Sequence, residues 1–242
     1  MEEGYADEYN SHAVQGFDTL TACEKLETQL CAFTGRECLD DSLRQLGLAH
    51  SIQTPKITVE QDWFRSGSET FSLYFSISDG SEKHWLVLKA CVAAGSMADS
   101  VEAIAERWLQ RRHYLAENGI QTPRLYAYHE ALFLEEFIPF RLVDVLSANP
   151  SRELILEIVK IAASVGGLGF HPIGFFHDLL SRGEDVVVVD FGEDLGDISN
   201  CPNEQVMLSN LLKFVGTTAN YLNQLTIEEI VEYFHNAMAR EA

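Results

Sequence analysis

Polar and apolar positions change their period several times along this chain, and each change marks an element. From 57 to 91 the segments "ITVEQDWF", "FSLYFSIS" and "HWLVLKAC" are rich in β-branched and aromatic residues. Turn-like "RSGSET" and "DGSEK" separate them, which predicts a three-stranded antiparallel meander. "MADSVEAIAERWLQRRHYLAENG" then takes helical spacing, with an apolar stripe at Val101, Ile104, Ala105, Trp108 and Leu109 and a glycine stop at Gly119. "PRLYAYHE" and "ALFLEEFIP" predict a strand pair, and "SRELILEIVKIAASVGGLG" a helix closed by glycines. "FFHDLL", a turn at "SRGED" and "VVVVDF" predict a second hairpin. The tail from 203 is helical, with Thr226 opening "IEEIVEYFHNAMAR" as a capping box. Ahead of all this, residues 1–16 are polar. "TLTACEKLETQLCAF" and "DDSLRQLGLA" have helical spacing, with Gly35 as a stop between them and Asp40 or Asp41 as an N-cap.

This order of elements predicts an α+β protein of two lobes, a small antiparallel sheet lobe and a mostly helical lobe. The expected division is a helical N-terminal extension at 1–56, a sheet lobe with one helix at 57–138, and a helical lobe at 139–242 that holds the second hairpin. A cleft between lobes is the default place for a ligand.

Composition narrows the partners. With 37 acidic and 17 basic side chains the formal net charge of the 242 residues is −20. Such a field repels nucleic-acid backbones and anionic membranes, so neither is an expected partner. The N-terminus "MEEGYADEYN" is acidic and polar, unlike a signal peptide, and no apolar run approaches the ~18 residues of a membrane span. Cys23, Cys31, Cys38, Cys91 and Cys201 are odd in number and form no CxxC pair. They point to reduced thiols in a cytoplasmic protein, although a secreted effector with a non-classical signal has the same composition.

Four features carry candidate chemistry. Lys89 interrupts an apolar strand, where an ammonium is costly unless it meets an anion. Glu102, and Glu106 one turn later on the same helix face, can reach back toward such a lysine. Asp190 ends a run of four valines and is followed by Phe191 and Gly192, an arrangement that presents a carboxylate to a metal. In "LEEFIP" at 134–139, backbone groups at Glu136 and Ile138 follow a buried strand and can hydrogen-bond a heterocycle edge. Glu193, Asp194 and Asp197 add carboxylates beside Asp190.

In order and spacing these motifs resemble the protein-kinase-like superfamily, closest to its aminoglycoside phosphotransferase branch, over residues 57 to 197. "VLK" matches the phosphate-binding lysine at Lys89. "VEAIAERWLQRRHYLAENGIQTPRLYAY" resembles the branch's helix, Gly-x-x-x-Pro and strand, with Glu102 in the place of the glutamate that pairs with the lysine. "VVVVDFG" matches the metal-binding Asp-Phe-Gly. The resemblance implies ATP and Mg2+ as cofactors and a small-molecule or protein acceptor. Phosphoryl transfer asks little covalent chemistry of the protein: phosphates are fixed, their charge is neutralised, and an acid near the acceptor hydroxyl takes its proton.

The chain also departs from that pattern. The nucleotide-covering loop "RSGSET" has one glycine, Gly67, among Ser66, Ser68 and Thr70. The catalytic loop fits in two registers. In one, "HPI" at 171–173 takes the His-x-Asp place, so Ile173 stands where the catalytic aspartate belongs and Asp178 replaces a metal-binding asparagine. In the other, His177 and Asp178 are the catalytic pair, but the twelve residues from Asp178 to Asp190 are too few. Fifty residues follow Gly192, with no recognisable activation segment. Three readings therefore stand: an atypical ATP-dependent phosphotransferase, a pseudokinase serving as a nucleotide-binding or scaffolding module, and a kinase-fold nucleotidyltransferase.

Overall fold

The computed structural model describes residues 56–59, 65–66, 69–78, 83–91, 100–129, 131–170, 175–183, 185–196, 204–217 and 225–241. The expected helical extension at 1–56, the loop residues Gly67 and Ser68, and His171, Ile173 and Asp197 lie outside them. The chain divides into two compact units, Met1–Glu106 with Arg124–Phe137, and Arg107–Pro123 with Ile138–Ala242.

The first unit is built on an antiparallel sheet of β1 (Lys56–Val59), β2 (Arg65–Ser66), β3 (Thr70–Ser78), β4 (Lys83–Cys91), β5 (Leu125–His129) and β6 (Leu132–Glu136). The order is β1-β3-β4-β6-β5, with β2 also on β3. The expected meander is therefore present, and the later strand pair joins the same sheet. Period-two patterning explains which face is which. Phe71, Leu73, Phe75 and Ile77 alternate with Thr70, Ser72, Tyr74, Ser76 and Ser78 along β3, and the polar set shares a face with Trp85, Val87, Lys89 and Cys91 of β4. Strand β4 is central and buried on both faces: Leu86, Leu88 and Ala90 on one, Val87, Lys89 and Cys91 on the other.

Helix α1 (Val101–Glu117) starts where Ser100 Oγ accepts the Ala103 N–H. It stops at Gly119, whose φ of 80° permits the Ile120 N–H to reach back to the Leu115 carbonyl at 3.0 Å. Its last eleven residues belong to the second unit. The buried stripe there is Trp108, Arg111, Arg112 and Leu115, while Leu109, expected on the stripe, is half-buried.

In the second unit β7 (Phe140–Arg141) leads into α2 (Leu142–Ala148), followed by α3 (Arg152–Gly167). Neither β7 nor α2 is signalled by the sequence pattern. Ser151 caps α3 by accepting from Leu154, and a bond from the Phe170 N–H to the Val165 carbonyl closes it beyond Gly169. Helix α3 packs against α4 (Glu204–Thr217), α5 (Ile227–Glu241) and β9 (Asp185–Val187), and Leu154, Ile155, Ile158, Val159, Ala162 and Val165 are buried between them.

The second hairpin is shorter than its sequence predicts. Phe175–Asp178 forms a 3-10 turn, and β8 covers only Leu180–Arg182. Phe176 stacks on Phe214 with ring centroids 5.5 Å apart, and the Leu179 carbonyl accepts from the Leu142 N–H. These tertiary contacts override the strand propensity of "FFHDLL". The run of valines loses its ladder for the same reason: β9 ends at Val187, and the Val188 N–H donates to Gln121. Asp190 therefore follows irregular backbone and does not terminate a strand.

Helix α5 carries the expected capping box. The Thr226 N–H donates to Glu229, the Glu229 N–H donates to the Thr226 hydroxyl, and Arg152 lies 2.9 Å from the Glu229 carboxylate. The Thr226 backbone N–H, then Arg152, hold the Glu229 pKa below the usual carboxylate value. A lowered folded-state pKa stabilises above the unfolded value and is lost as pH falls through the folded one. Glu229→Gln should therefore lower Tm at neutral pH, with the gap to wild type closing on acidification. Thermal melts across the acidic range check this, and a gap independent of pH would refute it.

Candidate functional site

Within the first unit, the register of the sheet brings Lys89 to a counter-charge. Lys89 lies opposite Ser72 on β3 and opposite Phe133 on β6, while Glu135 of β6 lies opposite Val87. Lys89 and Glu135 are thus diagonal neighbours on one face, a spacing of about 7–8 Å between Cα atoms that long side chains bridge. The Lys89 ammonium is 3.3 Å from Glu135 Oε2, with side-chain exposures of 10% and 2%. Burial of the ammonium beside a carboxylate answers the question that its place in an apolar strand raises.

Glu102, expected to pair with Lys89, is exposed. Its own backbone N–H and then Ser100 bond its carboxylate and hold its pKa below the usual value, so it serves the start of its own helix. The carboxylate that the structure gives Lys89 belongs instead to Glu135. Glu135 stands in "LEEFIP", where the sequence points to backbone groups and not to a carboxylate. A signal was present in the period-two register, which places Phe133 and Glu135 on the same face. Glu106 is exposed on the same helix. The Glu136 N–H donates to the Arg124 carbonyl and its Oε2 accepts from the Arg124 N–H, both at 2.9 Å. Its amide is therefore engaged in strand pairing. Ile138 is buried in the second unit.

Within the second unit, the Asp190-Phe191-Gly192 turn is held from helix α1. Phe191 is fully buried and meets Trp108 edge-on, with ring centroids 5.2 Å apart at 86°. Such a pair contributes about 0.5–1.5 kcal/mol beyond its area. The buried Arg111 guanidinium donates through Nη1 to the carbonyls of Phe191 at 3.3 Å and Gly192 at 2.5 Å. Asp190 Oδ1 accepts from the Gly192 N–H at 2.8 Å, and the Gly192 carbonyl also accepts from Leu195. Neither Trp108 nor Arg111 was a site candidate. Spacing of three residues puts both on one helix face, and a basic residue on an apolar stripe of so acidic a chain was the available signal.

Asp178 and Asp190 leave the same end of the β8–β9 hairpin, opposite its turn. Leu180 pairs with Val187, Asp178 lies two residues before that pair, and Asp190 lies three after it. Both residues are half-buried. His177 belongs to the same 3-10 turn as Asp178, but its side chain, like that of Asp194, lies outside the described residues. Glu193 is exposed at the start of the following turn, Glu193–Leu195.

Among the described residues, no group of three or more His, Cys, Asp or Glu side chains gathers as a metal cage. Two hard oxygen donors at one hairpin end nevertheless suit Mg2+, which takes one or two carboxylates and fills its remaining positions with water and phosphate. No described helix is long and apolar enough to cross a membrane.

Comparison with known proteins adds a likeness among solved structures. No protein-family model matches the chain, and no curated protein does. Among solved structures, the Rio2 kinase-ADP/Mg2+-phosphoaspartate complex from Chaetomium thermophilum matches 76% of this chain and 71% of that one, with 13% sequence identity and a TM-score of 0.44. A superposition of this extent assigns no role to any residue here.

The buried pair of the first unit generates a direct test. Removing one member strands a charge, which costs about 3–5 kcal/mol for buried pairs, whereas an apolar replacement of both is often near neutral. Lys89→Met and Glu135→Leu should each destabilise strongly, and the double variant should recover most of the loss. Urea denaturation of all four proteins measures the coupling, and additive losses would contradict it.

Proposed function

We propose that the protein is an atypical kinase-like phosphotransferase that binds ATP with Mg2+. The observation that carries this reading is the buried Lys89 ammonium, held at 3.3 Å by Glu135 in the middle of an antiparallel sheet. A fixed, partly neutralised cation there suits the non-transferred phosphates of a nucleotide. Glu135 takes the orienting role first expected of Glu102. Asp190, on its bonded turn, and Asp178, at the same hairpin end, supply the carboxylates for the cation. When bound, Mg2+ neutralises phosphate charge. With the Glu136 amide taken by the Arg124 carbonyl, the backbone at Ile138 remains the proposed contact for the base.

A second reading, a nucleotide-binding module without turnover, is favoured by the hairpin. Strand β8 begins at Leu180, two residues after Asp178, which suits the register with Asp178 in the asparagine place and Ile173 in the aspartate place. In the other register Asp178, beside His177, receives the acceptor's proton.

Thermal shift with ATP, with and without Mg2+, tests nucleotide binding, because a ligand of the native state raises Tm by mass action. Asp190→Ala should abolish the Mg2+-dependent part of the shift, and a full shift in that variant would remove Asp190 from the site. Lys89→Met should weaken ATP binding with or without the metal. Incubation with γ-labelled and α-labelled ATP separates the readings: γ-label on an acceptor marks phosphoryl transfer, α-label marks nucleotidyl transfer, and neither marks the inactive module. If turnover occurs, Asp178→Ala should abolish it.

A further inference from the structure

We propose that Arg111 is the positioning residue of the Asp190 turn and so sets the metal affinity of the site; this rests on the nucleotide-and-metal reading above. One guanidinium nitrogen bridges two successive carbonyls, Phe191 at 3.3 Å and Gly192 at 2.5 Å. The Phe191 carbonyl shares one planar peptide with the Gly192 N–H, which donates to Asp190 Oδ1 at 2.8 Å, so holding that carbonyl fixes the donor that aims the carboxylate.

Arg111 is itself immobilised. Its guanidinium lies over the Phe170 ring at 5.9 Å, and Tyr114 from the same helix meets that ring at 6.0 Å. Phe170 is fully buried and anchored through its N–H to the end of α3. A continuous path therefore runs from the end of α3 through Phe170, Arg111 and Gly192 to the carboxylate of Asp190. Its energetic centre is a pair of charge-assisted bonds in a buried setting, stronger than neutral ones. Arginine suits this place because Nη1 alone meets both carbonyls while the guanidinium plane lies over an aromatic ring, a contact that a compact, strongly hydrated ammonium makes poorly.

The test uses the full chain as wild type, Arg111→Met and Arg111→Lys. Amide hydrogen exchange reports the turn at Gly192, and electron paramagnetic resonance of free Mn2+ reports binding of Mn2+ with ADP. In Arg111→Met, Gly192 exchange should accelerate and MnADP affinity should fall by about tenfold or more, the scale of one lost charge-assisted bond. Affinity for ADP without metal should stay unchanged, as should exchange within α3, which separates a positioning role from general loosening. Arg111→Lys should fall between the two and is read in place of Arg111→Met should that variant fail to fold. Wild-type MnADP affinity in a folded Arg111 variant overturns the proposal, whether or not Gly192 exchange changes. A wild-type chain that binds no MnADP overturns the nucleotide reading itself, an outcome visible before any variant is made.

Discussion

A cation taken out of water must find anions or oriented dipoles within hydrogen-bonding distance, and both units of this protein are organised by that constraint. In the first, Lys89 occupies the central strand of a sheet buried on both faces, and Glu135 on the neighbouring strand answers it. In the second, Arg111 and Arg112 lie on the buried stripe of helix α1. They are answered by backbone carbonyls: Arg111 by Phe191 and Gly192, Arg112 by Pro123. Each buried charge fixes the backbone around it, because displacing either partner strands the other.

The two solutions differ in kind. A carboxylate neutralises Lys89 while leaving a polar face around it, with Ser72 and Ser76 buried on the same side of the sheet. That suits a site whose cation meets a further anion. Carbonyl dipoles meet the Arg111 guanidinium directly, and the structural gain passes to the turn that presents Asp190. The segment leading from helix α1 toward β5 is tied down in the same way. The Thr122 carbonyl accepts from Arg182, the Pro123 carbonyl from Arg112 and the Gln121 carbonyl from the Val188 N–H. Three consecutive carbonyls of an irregular stretch thus find donors where no ladder exists to supply them.

Much of the architecture was legible because it is local. Alternation in "TFSLYFSIS" and "KHWLVLKAC" specified strands and their faces, and the spacing from Val101 to Gly119 specified a helix and its end. Thr226 announced a helix start that the structure contains. The short elements were not legible. Strand β7 has two residues and helix α2 seven, too few for a period to register. "FFHDLL" has the composition of a strand, yet the stacking of Phe176 on Phe214 draws it into a 3-10 turn.

The candidate site divides along the same line. The sequence by itself determined Lys89 as an anomalous charge in an apolar strand and Asp190-Phe191-Gly192 as an acid and a glycine after an apolar run, because those signals lie within a few residues. Only the tertiary structure decided what holds them. Glu135 lies 46 positions from Lys89 and Arg111 lies 81 from Gly192, and such pairs are joined by sheet register and helix packing, which no local period encodes. Glu102 was chosen as the partner of Lys89 from its place in a motif, whereas its own first-turn hydrogen bonds claim its carboxylate. Spacing along a chain fixes which face a side chain shares, and long-range packing fixes what that face meets.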